Sequence, residues 1–414
     1  MPRPELVMHR PKPRCRVSII LLDWGVRESF HSLQYLNQQT VARAEYELIW
    51  LEFYGRKPIK LREMVFRQGK ETPLLDQWIV AGYGEDTIFN KHRLYNLGVL
   101  VAQGHYCVIC DSDAIFTPNF VAKLLEGFAQ TPRAVLHLDE IRNADPRCHP
   151  FAYPTIPQVL GAGCINWHGD VSRGLDNSPD IIHDANYGSC MAASRDDLLA
   201  IGGADEHLDY LGYICGPYDM TFRLGNHGLE ERWLRDEYLY HVWHPNEGGV
   251  NTDYQGPSDG RGMSLRSLES RNIGRVEPCL ENPWIRQTRQ GERFDVHQIL
   301  ELLAAQDEPT WRVGHQASAD EAVFLLEPDY QGFNLFRYRQ HCYGLKVEDG
   351  YFDPLKARRY RVLLDGKEAA NVKHLVDYYN GLPKTWWGRL ANQPVTQLPW
   401  RAARKLGKEI GRLF

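Results

Sequence analysis

The feature that most constrains this chain is a rhythm in its first 140 residues. Short apolar, β-branched runs recur as "VSIILL" (17–22), "EYELIWLEF", "DQWIVAG", "HYCVICDSD" and "RAVLHLDEI". Runs that are apolar at nearly every position read as strands buried on both faces. Between them lie helical stretches. "RESFHSLQYLNQQ" puts Phe30, Leu33 and Leu36 on one stripe, "NKHRLYNLGVLVAQG" is amphipathic and closes on Gly104, and "PNFVAKLLEGFAQ" starts at Pro118. A β-α-β order implies an α/β fold with a mostly parallel sheet covered by helices. Ligands of such sheets sit at the carboxyl ends of the strands. Asp23, Glu52, Asp111 and Asp113 all fall at strand carboxyl ends, four acids on one rim.

Asp111 and Asp113 sit one residue apart at the end of a buried strand. Like charges there repel unless something positive neutralises them. The first candidate is a divalent cation carrying a phosphate-bearing ligand.

Composition narrows the class. The 414 residues are 43% hydrophobic and 24% charged, enough to bury a large core in two or three domains. The net charge of −5 argues against a global role in binding nucleic acid. The N-terminus, "MPRPELVMHRPKPRCR", is Pro- and Arg-rich without the apolar centre of a secretory signal. Nine scattered cysteines then read as reduced thiols in a cytoplasm, and Cys107 and Cys110 as two packed thiols in a strand. No apolar run approaches the ~20 residues of a spanning helix.

Residues 143–188 are rich in Pro, Gly, His and Asn, a long irregular region of the kind that carries function. A short strand, a helix, a Gly-Gly turn, a second helix from about Tyr218 and a strand ending in "HVWH" follow.

By residue 249 this order of signals resembles the family 2 inverting glycosyltransferases of the GT-A fold. The resemblance covers roughly residues 15–250. "VSIILLDWGVRESFHSLQYLNQQT" is similar to the opening strand and helix, with Leu-Asp-Trp-Gly where members carry Pro-Thr-Tyr-Asn. "ELIWLEFYG" resembles the second strand, with Glu52 in place of the first acid of Asp-Asp-Gly-Ser. "RLYNLGVLVAQGHYCVICDSD" is similar to the helix with Asn-x-Gly, here Asn96, and the strand with the metal-binding Asp-x-Asp. "GGADEHLDYLGYICGPYDMTFRLGNHG" resembles the Gly-Gly-x-Asp-Glu and Glu-Asp-x-x-x-x-Arg segment, and "HVWH" stands where a late metal-binding histidine is found.

The resemblance implies a Rossmann-like GT-A domain that takes a nucleoside-diphosphate sugar as donor. Acids at strand ends accept hydrogen bonds from a base imide and from ribose hydroxyls, which suits Asp23 and Glu52; Asn96 and Asp111 join them by resemblance. Mn²⁺ or Mg²⁺ would bridge the departing diphosphate. The resemblance puts Asp113 on the metal and Asp111 at the ribose or on the metal through water. His244 is the favoured third ligand and His241 the reserve. Asp219, the second acid of the Glu-Asp pair, would deprotonate the acceptor. Tyr218 replaces the first acid, which bears on the acceptor. Arg223, one turn on, would support Asp219, with Glu206 in a secondary role.

The expected organisation is an arm (1–14), the GT-A domain (15–255), a lid and helical linker (256–315), a small accessory α+β module (316–380) and a tail (381–414). The tail, "WRAARKLGKEIGRLF" included, pairs basic residues with an apolar helical stripe and Trp400, as a helix lying on an anionic membrane surface does. A lipid-linked or surface glycan would then be the acceptor, at the inner face of the cell membrane. Two other readings stay open at this stage: a sugar-phosphate nucleotidyltransferase, and a non-catalytic glycan- or partner-binding module on the same fold.

Overall fold

The computed structural model describes residues 2–27, 29–67, 74–149, 154–169, 172, 182–212, 216–244, 263–276, 279–305, 323–338, 341–350, 352 and 360–381. The chain divides into two compact units, residues 1–255 with 261–315 and residues 256–260 with 316–414. The tail from 382 onward and the first part of the expected lid, 256–262, lie outside the described residues.

In the first unit the strands are β1 (Glu5–His9), β2 (Val17–Asp23), β3 (Tyr46–Tyr54), β4 (Gln77–Tyr83), β5 (Tyr106–Cys110), β6 (Ala134–Asn143), β7 (Cys190–Ser194) and β8 (Glu230–Val242). They form one sheet in the order β1-β4-β3-β2-β5-β7-β6-β8. β4, β3, β2 and β5 are parallel, as are β6 and β8. β7 runs antiparallel to both β5 and β6 and so joins the two parallel sets with their carboxyl ends on the same rim. The helices are α1 (His31–Leu36), α2 (Ile59–Arg67), α3 (Lys91–Val101), α4 (Phe120–Gln130), α5 (Ile156–Val159), α6 (Arg195–Ala200), α7 (Tyr218–Asn226), α8 (Leu265–Ser270), α9 (Pro283–Arg289) and α10 (Val296–Ala305). This is the helix-flanked, mostly parallel sheet of the expected class.

The alternation of side chains along a strand sorts the core into two layers. Ile20 and Leu22 of β2 pack in one cluster with Leu94, Tyr95 and Leu97 of α3. Ile19 and Leu21 pack in the other with Leu33 of α1 and Phe120, Leu124 and Phe128 of α4. Every residue of β2, β3 and β4 is buried, which explains their unbroken apolar runs.

One expectation needs correction. Residues 5–9, read as part of an arm, pair with β4 as an antiparallel edge strand, Glu5 opposite Val80 and His9 opposite Gln77. Prolines on both sides hide the strand signal of "ELVMH" in the sequence.

Helix α3 lies close on β2 because Gly98 has no side chain. A Cβ there would meet Ile20 Cγ2 at 2.6 Å. Ile20 is fully buried and β-branched, so it cannot swing aside. Gly98→Ala is expected to lower stability by about 1–2 kcal/mol, overpacking outweighing the better helix propensity of alanine. A downward shift of the urea midpoint checks this.

The second unit is a four-stranded antiparallel sheet of β9 (Val323–Tyr330), β10 (Phe333–Tyr338), β11 (His341–Lys346) and β12 (Leu363–Gly366), covered by α11 (Ala369–Gly381). Val372 and Val376 of α11 are packed with Phe333, Leu335 and Cys342. No helix among the described residues is long and apolar enough to cross a membrane.

Candidate metal and nucleotide site

After β5 the chain turns sharply at Ser112 and Asp113 and then crosses to β8. Ile115 exchanges backbone hydrogen bonds with Tyr240, at 2.7 Å and 3.1 Å. That crossing carries Asp113 to the end of β8. His241 and His244 would point to opposite faces if the strand continued, but β8 stops at Val242 and the alternation ends with it. Both rings therefore reach Asp113. Oδ2 lies 2.9 Å from His244 Nε2 and 3.4 Å from His241 Nε2. The favoured and the reserve histidine belong to one cluster. One ligand atom from each of Asp113, His241 and His244 lies within 4.8 Å of the others.

A dication fits this donor set. Asp113 Oδ1 is buried and makes no hydrogen bond, an available lone pair beside two imidazoles. One carboxylate with two imidazoles suits Mn²⁺ and its borderline neighbours better than Mg²⁺, which favours oxygen ligands. Burial alone would raise the Asp113 pKa. The Arg27 guanidinium and the two histidines outweigh it and hold the carboxyl well below the ordinary range.

Several groups here escaped the sequence reading. His31 Nε2 donates to the Asp113 carbonyl at 2.6 Å and so fixes the turn from below. Arg27 Nη1 donates to Asp113 Oδ2, and its Nε donates to Ser112 Oγ at 2.7 Å. Glu140 of β6 is fully buried. Its Oε2 accepts from Arg142 Nε at 2.6 Å and Asn186 Nδ2 at 2.9 Å, while Oε1 has no hydrogen-bond partner. Burial would raise Glu140, but Arg142 and His241 leave it below its usual value. At Leu138 and Asp139 the pairing of β6 jumps from Leu234 to Tyr238, so β8 bulges by three residues opposite this part of β6. Asp139 accepts from Ser172 Oγ and from the Asn186 backbone, so β6 pins two points in the later part of the irregular region.

Beside Asp113 a cleft is lined by Trp24, Arg27, Lys91, Tyr95, Asp111, Ser112 and Gly188. Asp111 is half-buried there. Burial, opposed by Lys91 and reinforced by Glu140 and Asp113, pushes its carboxyl up to about 6. Lys91 opens α3, where the Asn90 side chain caps the helix by accepting from His92 N and Arg93 N.

The structure places the remaining expected residues as follows. Asp23 and Glu52 are at the rim but fully buried. Asp23 Oδ1 accepts from the backbone N–H of Gly25, Val26 and Arg27; Glu52 accepts from Gly25 N and Tyr54 N. Their carboxylates tie the turn that follows β2. Asn96 corrects another expectation. It is fully buried on α3, donates to Ala204 O at 2.9 Å and Glu206 Oε1 at 3.0 Å, and accepts from Ala204 N at 2.8 Å. It braces the Gly-Gly turn, in which Gly203 has φ +69°, and is not a nucleotide contact. Glu206 also accepts from Asn282 Nδ2 at 2.7 Å, so its place is structural.

Asp219 stands in the first turn of α7, 3% exposed. Oδ2 lies 3.2 Å from Arg223 Nη1 and accepts from Asp205 N at 3.2 Å; Oδ1 accepts from Tyr210 O–H at 3.2 Å. The expected Asp219–Arg223 pair is present. Tyr218 packs with Tyr187, Phe222 and Met263.

The buried Asp23 and Glu52 carboxyls have a pH consequence. Burial first, then their mutual repulsion, raises Glu52 well above its ordinary value, and burial raises Asp23. A carboxyl with a raised folded pKa binds its proton more tightly in the folded state. Its stabilising contribution is complete below the unfolded value and is lost as pH rises through the folded one. Stability of the wild type is thus expected to fall with rising pH above the ordinary carboxylate range, and Glu52→Gln to reduce that fall. Denaturant unfolding at several pH values from 5 to 9 checks the slope; equal slopes would refute it.

Fold and site together define an α/β protein with a cluster of one carboxylate and two imidazoles, able to hold a metal ion, at the carboxyl rim of its sheet. No family model matches the chain, and no curated protein matches its sequence. Among solved structures it is similar to S. aureus TarS residues 1–349 in complex with UDP-GlcNAc, at 13% identity over 57% of this chain and 61% of that one, TM-score 0.38. It is also similar to a mannosyltransferase from Pyrobaculum calidifontis in complex with GDP-Man and Mn²⁺, at 14% identity over 74% of this chain and 80% of that one, TM-score 0.39. The chain thus spans less than two thirds of the TarS fragment. At this degree of likeness neither structure bears on the reaction, and the functional case rests on the residues.

Proposed function

We propose that this chain is an inverting, divalent-metal-dependent glycosyltransferase of the family 2 type, moving a sugar from a nucleoside-diphosphate donor to a hydroxyl acceptor. The observation that carries the reading is the Asp113–His241–His244 cluster, with Asp113 Oδ1 unpartnered, beside the cleft of Trp24, Lys91 and Asp111. A cation bound there would offset the charge that develops on the departing diphosphate. Lys91 meets the same charge from the start of α3, and Asp111 accepts from ribose hydroxyls. In the displacement the acceptor oxygen bonds to the sugar carbon as the bond to phosphate breaks. The hydroxyl proton passes to Asp219 Oδ1, the acceptor taking the place of the Tyr210 hydroxyl, while Arg223 stays paired with Oδ2. The acceptor is a glycan or lipid-linked glycan, brought near by a basic tail on an anionic membrane surface.

A second reading, a binding module without turnover, draws on one observation: each Asp219 oxygen is already engaged. Incubation of the full chain with UDP- and GDP-sugars and Mn²⁺ separates the readings. Release of nucleoside diphosphate is expected. Binding without release would assign the module, and pyrophosphate released from a nucleoside triphosphate with a sugar phosphate would assign nucleotidyl transfer.

A further inference from the structure

The Asp113 carboxylate already has a cation on it. Arg27 Nη1 donates to Oδ2, the oxygen that faces His241 and His244. Its Nε is held by Ser112 Oγ at 2.7 Å, and the guanidinium carbon lies 4.8 Å from the centre of the Trp24 ring. The Arg27 and Asp113 side chains are each 7% exposed. The guanidinium is therefore gripped on three sides, at the mouth of the cleft that Lys91 and Asp111 also line.

A dication ligated by Asp113, His241 and His244 would lie against this charge. Two cations at such a separation in a buried site repel strongly. Arginine cannot relieve the conflict by losing a proton, because it stays charged at any working pH. It has to move.

Resting on the metal reading of the site, we propose that Arg27 and the dication are alternative occupants of Asp113. Arg27 holds the carboxylate until the metal arrives, then turns into the adjoining cleft, where it pairs with the diphosphate of the donor. The planar fork that reaches Asp113 and Ser112 together suits phosphate oxygens equally well. Metal alone then binds weakly, because it must evict a paired guanidinium. Metal together with a nucleoside diphosphate binds tightly, because the evicted group finds a new anion. Arg27 thereby couples the two ligands beyond their direct contact.

Calorimetric titration of the full chain with Mn²⁺, with electron paramagnetic resonance of the free ion as a second readout, tests this. Arg27→Gln is expected to bind Mn²⁺ alone about tenfold more tightly than the wild type, the repulsion being removed, and to gain less from added UDP or GDP. Arg27→Lys keeps the charge and is expected to stay near the wild type. If Arg27→Gln does not fold, Arg27→Met, which keeps an apolar stem against Trp24, carries the same expectation. Unchanged Mn²⁺ affinity in the uncharged variant overturns the proposal and leaves the metal site standing. So does weaker affinity, which would make Arg27 an orienting partner of Asp113. Absence of Mn²⁺ binding from wild type and variants alike, or binding that survives His241→Ala with His244→Ala, overturns the metal reading and this inference with it.

Discussion

Asp113→Ala is expected to abolish specific Mn²⁺ binding and to lower release of nucleoside diphosphate by about 10³-fold or more, the scale on which a group stabilising transition-state charge acts. Arg27, His241 and His244 meet at Asp113 by the end of β8, and each of the three approaches the same oxygen. Removing it takes away the ligand and leaves the buried Arg27 guanidinium without its counter-charge. The variant is also expected to be less stable by about 3–5 kcal/mol, the usual cost of breaking a buried ion pair by deleting one partner. Mn²⁺ titration, product release and urea unfolding separate the three effects. His244→Ala, by contrast, removes one neutral ligand and is expected to weaken Mn²⁺ binding with little loss of stability. Full activity of folded Asp113→Ala without added metal would remove the dication from the reaction.

Arg223→Leu is expected to destabilise the first unit by about 3–5 kcal/mol, because it leaves the Asp219 carboxylate buried without its counter-charge. The side chain is 2% exposed. It donates to the carbonyls of Ile201 and Gly203 and to Asp219, and so welds α7 to the Gly-Gly turn that follows α6. Asp219→Asn is expected to be milder in stability, since an amide oxygen still accepts from the Asp205 N–H, yet to remove transfer if Asp219 is the base. A urea midpoint of Arg223→Leu equal to that of the wild type would contradict this account of α7.

The sheet was legible because its strands are buried on both faces, so that the apolar runs of β2, β3 and β4 stand out without an alternating pattern. Asp113 was legible for a related reason: charge at the end of such a run is costly unless it is used. Arg27 was not. Its role depends on a turn whose shape comes from Asp23 and Glu52, and nothing in "WGVRES" marks the guanidinium as aimed at a residue 86 positions away. Glu140 was hidden likewise, in a strand that reads as ordinary until its partner Asn186, 46 residues on, is seen beside it. Asn96 misled in the opposite sense. An asparagine beside a helix glycine looks the same whether it faces a nucleotide or a turn 108 residues on, and tertiary contact alone decides. β1 was lost to its flanking prolines. The basic tail lies outside the described residues, and its membrane reading stands as proposed.

The two histidines enter the chain 128 and 131 residues after the carboxylate they meet, one on the last strand of the sheet and one just beyond it. A nascent chain short of β8 carries the aspartate but neither imidazole, so the three donors come together only after β8 has been made. Once β8 docks, a bound dication would clasp the two parallel halves of the sheet across its reversed middle strand. The metal would then favour only the completed fold over every partial one, lending the contact between the end of β5 and β8 a stability that the strand's own hydrogen bonds do not supply.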